Sequence, residues 1–149
     1  MSIGSILSDP DIRLVVGAPE DTLIDAVKHM VDNNVNAVVI LNDSMKLVGI
    51  LTDHDITKAL YAKNGDLEGA RVSDWMTENV ITCLPETKLS ETLKLMTFHG
   101  IRHLVVADEQ KPLALLGVRK VLEKIHEHDE LESNVLRDIA TAARASNVA

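Results

Sequence analysis

Thr52-Asp53-His54-Asp55 packs a hydroxyl, two carboxylates and an imidazole into four consecutive residues. The apolar run Leu47-Val48-Gly49-Ile50-Leu51 precedes it, and Ile56, Ala59 and Leu60 follow at helical spacing, so these side chains sit where a strand hands over to a helix. A helix N-terminus offers unpaired N–H donors and a partial positive potential, which favour phosphate or hydroxyl oxygens nearby. A carboxylate held there can accept hydrogen bonds from two vicinal hydroxyls, the pattern a ribose presents. Thr-x-x-Asp is equally close to a capping box, in which the two side chains only satisfy the first turn of their own helix. From spacing alone, both readings of Thr52 and Asp55 stand.

Basic groups gather further on. Arg102 and His103 open the apolar run Leu104-Val105-Val106, and Arg119 begins a second helical pattern, in a chain of net charge −8. Their plain role is a solvated or salt-bridged surface. His126, His128, Asp129 and Glu130 could seed a metal site, but a solvated helix end with so few ligands more often binds nothing, and no metal is assigned. No glycine-rich phosphate loop, no Gly-x-Ser-x-Gly elbow and no nucleophile beside a base is present, so catalysis is not expected.

The elements that position these groups are written twice. Pro19 to Met30 matches Pro85 to Met96 at Pro, Glu, Leu, Lys and Met with a shift of 66 residues, and Asn36 to Asp43 reads onto Arg102 to Glu109 at the same shift. Ile3 to Ser8 echoes Val72 to Thr77. Each copy predicts the order β-α-β-β-α. In the first, a short strand over Arg13–Val16 leads to a helix capped by Asp21 or Thr22 and stopped at Asn33-Asn34. A hairpin over 37–51 and a helix ended by Asn64-Gly65 complete it. In the second copy these become a strand over Val80–Cys83, a helix over Lys88–His99, strands over His103–Ala107 and Leu113–Leu116, and a helix from Arg119 to His126. A unit of about 60 residues buries a poor core alone, so the copies must pack on each other, about a pseudo-twofold axis. The fold class is α/β (α+β), divided as repeat 1 over 1–68, repeat 2 over 69–127, and a C-terminal amphipathic helix and tail over 128–149. In that tail Leu131, Val135, Ile139 and Ala143 share one face, which must dock on its own body or on another chain.

Composition narrows the partners. With 46% apolar residues the chain supports a true core, while its acidic balance disfavours nucleic acid and anionic membrane surfaces. No apolar stretch reaches the ~18 residues of a membrane span. The single Cys83 excludes an internal disulfide and, with no basic leader, points to the cytoplasm.

The β-α-β-β-α order, with Gly49-Ile50-Leu51-Thr52-Asp53-His54-Asp55-Ile56, Val72-Ser73-Asp74-Trp75-Met76-Thr77 and Gly100-Ile101-Arg102-His103-Leu104-Val105-Val106, resembles a tandem CBS-domain pair, the module named after cystathionine β-synthase, over about residues 1–127. That resemblance implies a free-standing regulatory module. An adenosine nucleotide (AMP, ADP or ATP) would be sensed in the inter-repeat cleft and signalled to a partner protein, with no cofactor required and a homodimer expected. It implies that Asp55 binds the ribose diol, with Thr52 near ribose or phosphate and Asp53 and His54 in the same phrase. Arg102, Arg119 and His103 would meet phosphate, and adenine would lie near Leu14, Val15 and Ala37. Asn36 stands where some nucleotide-sensing relatives carry Arg, which favours AMP or ADP over a triphosphate and leaves S-adenosylmethionine open. Gly117 and Lys120 replace the Thr and Asp in the second copy, and lysine offers a diol no acceptor, so one site per chain is expected. The rival reading is a ligand-free structural or dimerisation module.

Overall fold

A computed structural model describes residues 1–146. A 3-10 turn over Ile3–Ile6 is followed by β1 (Val16–Gly17), α1 (Leu23–Asn33), β2 (Ala37–Leu41), β3 (Leu47–Thr52) and α2 (Asp53–Ala62). The second half runs α3 (Val72–Trp75), β4 (Thr82–Cys83), α4 (Leu89–His99), β5 (His103–Asp108), β6 (Lys111–Gly117) and α5 (Val118–Ser146). The strands form two three-stranded sheets, β1-β2-β3 and β4-β5-β6. In each, a short parallel pair leads into an antiparallel hairpin, and the register repeats at the sequence offset: Val16 pairs with Val39, and Thr82 with Val105.

Local chemistry explains the element ends. Thr22 closes a full capping box on α1 with Asp25, and α1 and α4 both stop at a left-handed residue, Asn34 (φ 52) and Gly100 (φ 62). Asn and Gly reach that conformation at least cost, and these two positions are themselves 66 apart. β2 is buried along its whole length because its two faces serve two cores. Val38 and Ile40 join Leu23, Ala26, Leu51 and Ala59 under the helices of repeat 1. Ala37, Val39 and Leu41 turn the other way and meet Val105 and Ala107 of β5, which form the contact between repeats. Leu104 and Val106 face the second repeat's own core with Leu89, Met96 and Leu116.

The entry segments cross over. Ile3 and Ile6 are buried in the core of the second repeat, tied there by Ile3 N–H to the Thr87 carbonyl (2.8 Å) and Gly4 N–H to the Pro85 carbonyl (2.8 Å). Val72 and Trp75 of α3 instead pack in the first repeat's core, where Val72 N–H donates to the Asp21 carbonyl (2.9 Å). Each copy thus lends its leading residues to its twin.

Three expectations differ from the structure. β1 is displaced to Val16–Gly17, the residues that pair in register with Val39 and Ile40 of β2. The second hairpin turns in two residues, Glu109 and Gln110, with Glu109 at φ 56, so both its strands are longer than expected. Finally, one continuous helix, α5, replaces the two helices expected at 119–126 and in the tail. No Gly or Pro interrupts 118–146, so nothing stops it.

Candidate functional site

Between the repeats lies a cleft of about 210 Å³. Its first wall is the β3–α2 junction. Thr52 N–H donates to Asp55 Oδ2 (2.9 Å), the Thr52 hydroxyl donates to the same oxygen (3.2 Å), and Asp55 N–H donates to Thr52 Oγ1 (3.4 Å). The capping box is therefore formed, and it occupies Oδ2. Among the described residues no hydrogen bond engages Asp55 Oδ1, although the residue is only 8% exposed and lines the cleft. Capping thus uses one oxygen of the carboxylate and leaves the other without a hydrogen bond among the described residues. His54 and Lys58 extend the same wall along α2.

The opposite wall comes from the second half. After α3 the chain crosses β3: Ile50 and Thr77 exchange both backbone hydrogen bonds (3.0 and 2.9 Å), which brings Thr77 and Asn79 to the rim and Val80 and Ile81 to the floor. This crossing needs Gly49, where a Cβ would stand 2.6 Å from Met76 Sδ and 3.2 Å from the Thr77 carbonyl oxygen. Ile101, Arg102 and His103, at the entry to β5, close the cleft. Arg102 Nη2 lies 3.7 Å from Asp53 Oδ1, an ion pair between the halves, and the Arg102 carbonyl accepts from Val118 N–H at the head of α5 (2.8 Å). Burial pulls the His103 pKa down and Arg102 adds to the fall, while Asp53 pulls it back up. The cleft therefore joins a buried acid, an apolar floor and basic groups at its mouth.

Of the expected site residues, the structure brings together Thr52, His54, Asp55, Arg102 and His103. Asp53 stands behind Arg102, outside the lining. Leu14, Val15, Asn36 and Ala37 do not line this cleft: Leu14 and Ala37 are in the inter-repeat core, Val15 packs under the first repeat's helices, and Asn36 accepts the Asp53 N–H through its carbonyl (2.9 Å). Their places are taken by Val80, Ile81, Arg102 and His103, each 66 residues on. These are the equivalent positions of the other copy, because the junction of one repeat faces the strands of the other. Arg119, exposed at the start of α5, is also outside the lining, since it is the counterpart of His54 in the opposite half. Lys58, Thr77 and Asn79 were missed. Lys58 was legible as the residue one turn beyond Asp55, whereas Thr77 and Asn79 are set by the crossing of the linker.

In the second copy the position of Asp55 is held by Lys120, which pairs with Glu123 (3.2 Å), Asp11 (3.5 Å) and Asp9 (3.9 Å). Lys124 also holds Asp9, at 2.7 Å. Lysine and acids thus satisfy one another there. The two histidines of the tail pair separately, His126 with Glu130 and His128 with Glu132, both at 3.3 Å, and no group of three metal-ligating side chains occurs among the described residues.

The family model for the CBS domain matches twice, over residues 6–62 and 72–127. The chain belongs to the CBS domain family. It is 34% identical over 116 residues to the CBS domain-containing protein CBSX3, mitochondrial, of Arabidopsis thaliana, covering 74% of this chain and 56% of that protein. To CBSCBSPB5 of the same plant it is 37% identical over 101 residues, covering 68% of this chain and 18% of that protein. The chain thus spans little more than half, or less, of these relatives. Among solved structures, the CBS domain protein NE2398 superposes with a TM-score of 0.77 at 26% identity, covering 84% of this chain and 97% of that one. The CBS domain pair of protein MJ0100, solved in complex with 5'-methylthioadenosine and S-adenosyl-L-methionine, gives 0.74 at 25% identity, covering 87% and 98%. This chain is therefore a CBS pair of the regulatory kind, and no helix among its described residues is long and apolar enough to cross a membrane.

Proposed function

We propose that this CBS pair is a cytoplasmic regulatory module that binds one adenosine nucleotide per chain in the inter-repeat cleft and passes its occupancy to a partner protein. The supporting observation is the unengaged Oδ1 of the buried Asp55, in a cleft that also holds an apolar floor and cations. Asp55 accepts the ribose hydroxyls, the Val80, Ile81 and Ile101 side chains flank adenine, and Arg102 and Lys58 meet phosphate. At about 210 Å³ the cleft lies below the range of about 300 Å³ upward usual for ligand pockets, so a mono- or diphosphate suits it better than a triphosphate. Binding rather than turnover is the reading, since occupancy needs only to favour one arrangement of the repeats over another.

Calorimetric titration with AMP, ADP, ATP and S-adenosylmethionine tests this. Expected is one site per chain with AMP or ADP preferred, and an affinity loss of about tenfold or more in Asp55→Ala, the order for removing hydrogen bonds to a charged acceptor. No heat with any of them returns the module to the ligand-free structural reading. The methylthioadenosine and S-adenosylmethionine complex of the MJ0100 pair favours a second reading, an uncharged or sulfonium adenosine ligand, which the same titration would show as the reverse preference.

We further propose a homodimer built on α5. Leu131 (63% exposed), Val135 (48%) and Ile139 (60%) continue the helix face that Val121 buries in the body, so an apolar stripe runs past the edge of the second repeat. A second copy presenting the same stripe buries both. Light scattering should give twice the chain mass at micromolar concentration and a monomer for Ile139→Asp; a monomeric wild type removes the proposal.

A further inference from the structure

Asp53 was expected among the ligand-binding residues, and its placement assigns it a different task. It is the first residue of α2, with its backbone anchored by Asp53 N–H to the Asn36 carbonyl (2.9 Å). Its Oδ1 accepts the His54 N–H (2.9 Å) and faces Arg102 Nη2 at 3.7 Å. It does not line the cleft, whereas Arg102 does. Arg102 therefore stands between two claimants: a carboxylate of the first repeat outside the cleft, and whatever anion enters it.

We propose that Asp53 sets the cleft's preference between phosphorylated and uncharged adenosine ligands by competing for Arg102. This rests on the adenosine reading above and specifies its selectivity. The argument is one of exchange. A phosphate that recruits the Arg102 guanidinium must first release it from Asp53, and then lies near a carboxylate of its own sign. Both effects oppose an anionic ligand and neither touches one that ends at the sugar. The ion pair is exposed on both sides, 66% at Arg102 and 50% at Asp53, so it is exchangeable rather than locked. Pairs of this kind shift equilibria by about two- to fivefold and weaken as salt rises. Asp53 therefore acts as a moderate, salt-sensitive brake on anion binding. The same carboxylate also lines the groove between α1 and α2, with Val31 and Ile56. An anionic ligand that takes Arg102 thus leaves an unpaired negative charge beside that groove, and an uncharged ligand does not.

The test is the ratio of AMP to adenosine affinity, measured by calorimetry at about 50 mM and about 300 mM salt. Asp53→Asn removes the charge and keeps an oxygen for the His54 N–H; Asp53→Ser does the same with a shorter side chain and guards against an effect of helix fraying. Both should raise the ratio about two- to fivefold at low salt and less at high salt, and the increase should shrink in an Arg102→Ala background. A ratio unmoved by either substitution, or moved equally with and without Arg102, overturns the proposal. A wild type that binds neither compound overturns the adenosine reading itself, and this proposal with it; a wild type that binds AMP while the ratio stays fixed removes only the role of Asp53.

Discussion

Asp25 and Asp55 close the same capping box one helix apart, yet only Asp55 faces a cleft. Thr22 and Asp25 exchange bonds of 3.2 and 3.1 Å on an exposed surface, and there the motif serves α1 alone. Thr22→Ala should lower stability by about 1 kcal/mol, read by urea denaturation, with nucleotide titration unaffected. Asp55→Ala should lose both a cap and a ligand. That Thr-x-x-Asp could be either was legible in the residues; that the cap at Asp55 also faces a cleft depends on what the other repeat places opposite. His103 carries a pH signature for the same site. Its pKa lies below the ordinary 6.5, chiefly through burial, so the fold binds its proton less well than the unfolded chain does. The stability it contributes is present above pH 6.5 and is lost as the pH falls through its folded value. Urea midpoints should drop between pH 7.5 and 5.5 more in the wild type than in His103→Gln, and equal drops would show that other groups carry the change. Cys83 reports the opposite kind of burial: its thiol is pushed up to about 12, so alkylation should be slow in the native protein and fast in urea.

Helix ends and hairpins could be read ahead of the structure because their causes are local: a Thr with an acid three residues on, Asn34, Gly100, a β-branched run. The floor of the cleft could not, because Val80 and Ile81 reach Asp55 only through the antiparallel crossing of the linker over β3. Gly49 makes that crossing possible. Gly49→Ala should cost about 1–3 kcal/mol, since the backbone at Thr77 must move as well as the Met76 side chain, and it should weaken ligand binding through the displaced rim. A loss below about 0.5 kcal/mol would show that the linker yields freely. The length of α5 was open to reading in a different sense. Its uninterrupted composition carries no stop between Val118 and Ser146, and the two helices expected there rest only on where the second repeat ends.

The duplication itself announces two units, and the pairing of each hairpin with its own leading strand follows from it. Their interlacing does not. Because the first residues of the chain pack in the second repeat and α3 packs in the first, a cut between 68 and 69 severs both cores at once. Fragments 1–68 and 69–149 should each lack a cooperative melt by circular dichroism alone and regain one when mixed, when Trp75, the only tryptophan and carried by 69–149, should report the same transition. Val105→Ala, fully buried in the contact between repeats, should shift that same transition by about 2 kcal/mol even though Trp75 packs in the first repeat's core. The backbone bond from Val118 to Arg102 has a mechanical meaning of its own. At 1.5 Å per residue a helix of 29 residues is about 43 Å long, so a pivot of only about 3° at its anchored end sweeps the far tip through about 2 Å. The anchor is the arginine at the mouth of the cleft, so a displacement of that arginine would be magnified along α5 as by the needle of a pointer.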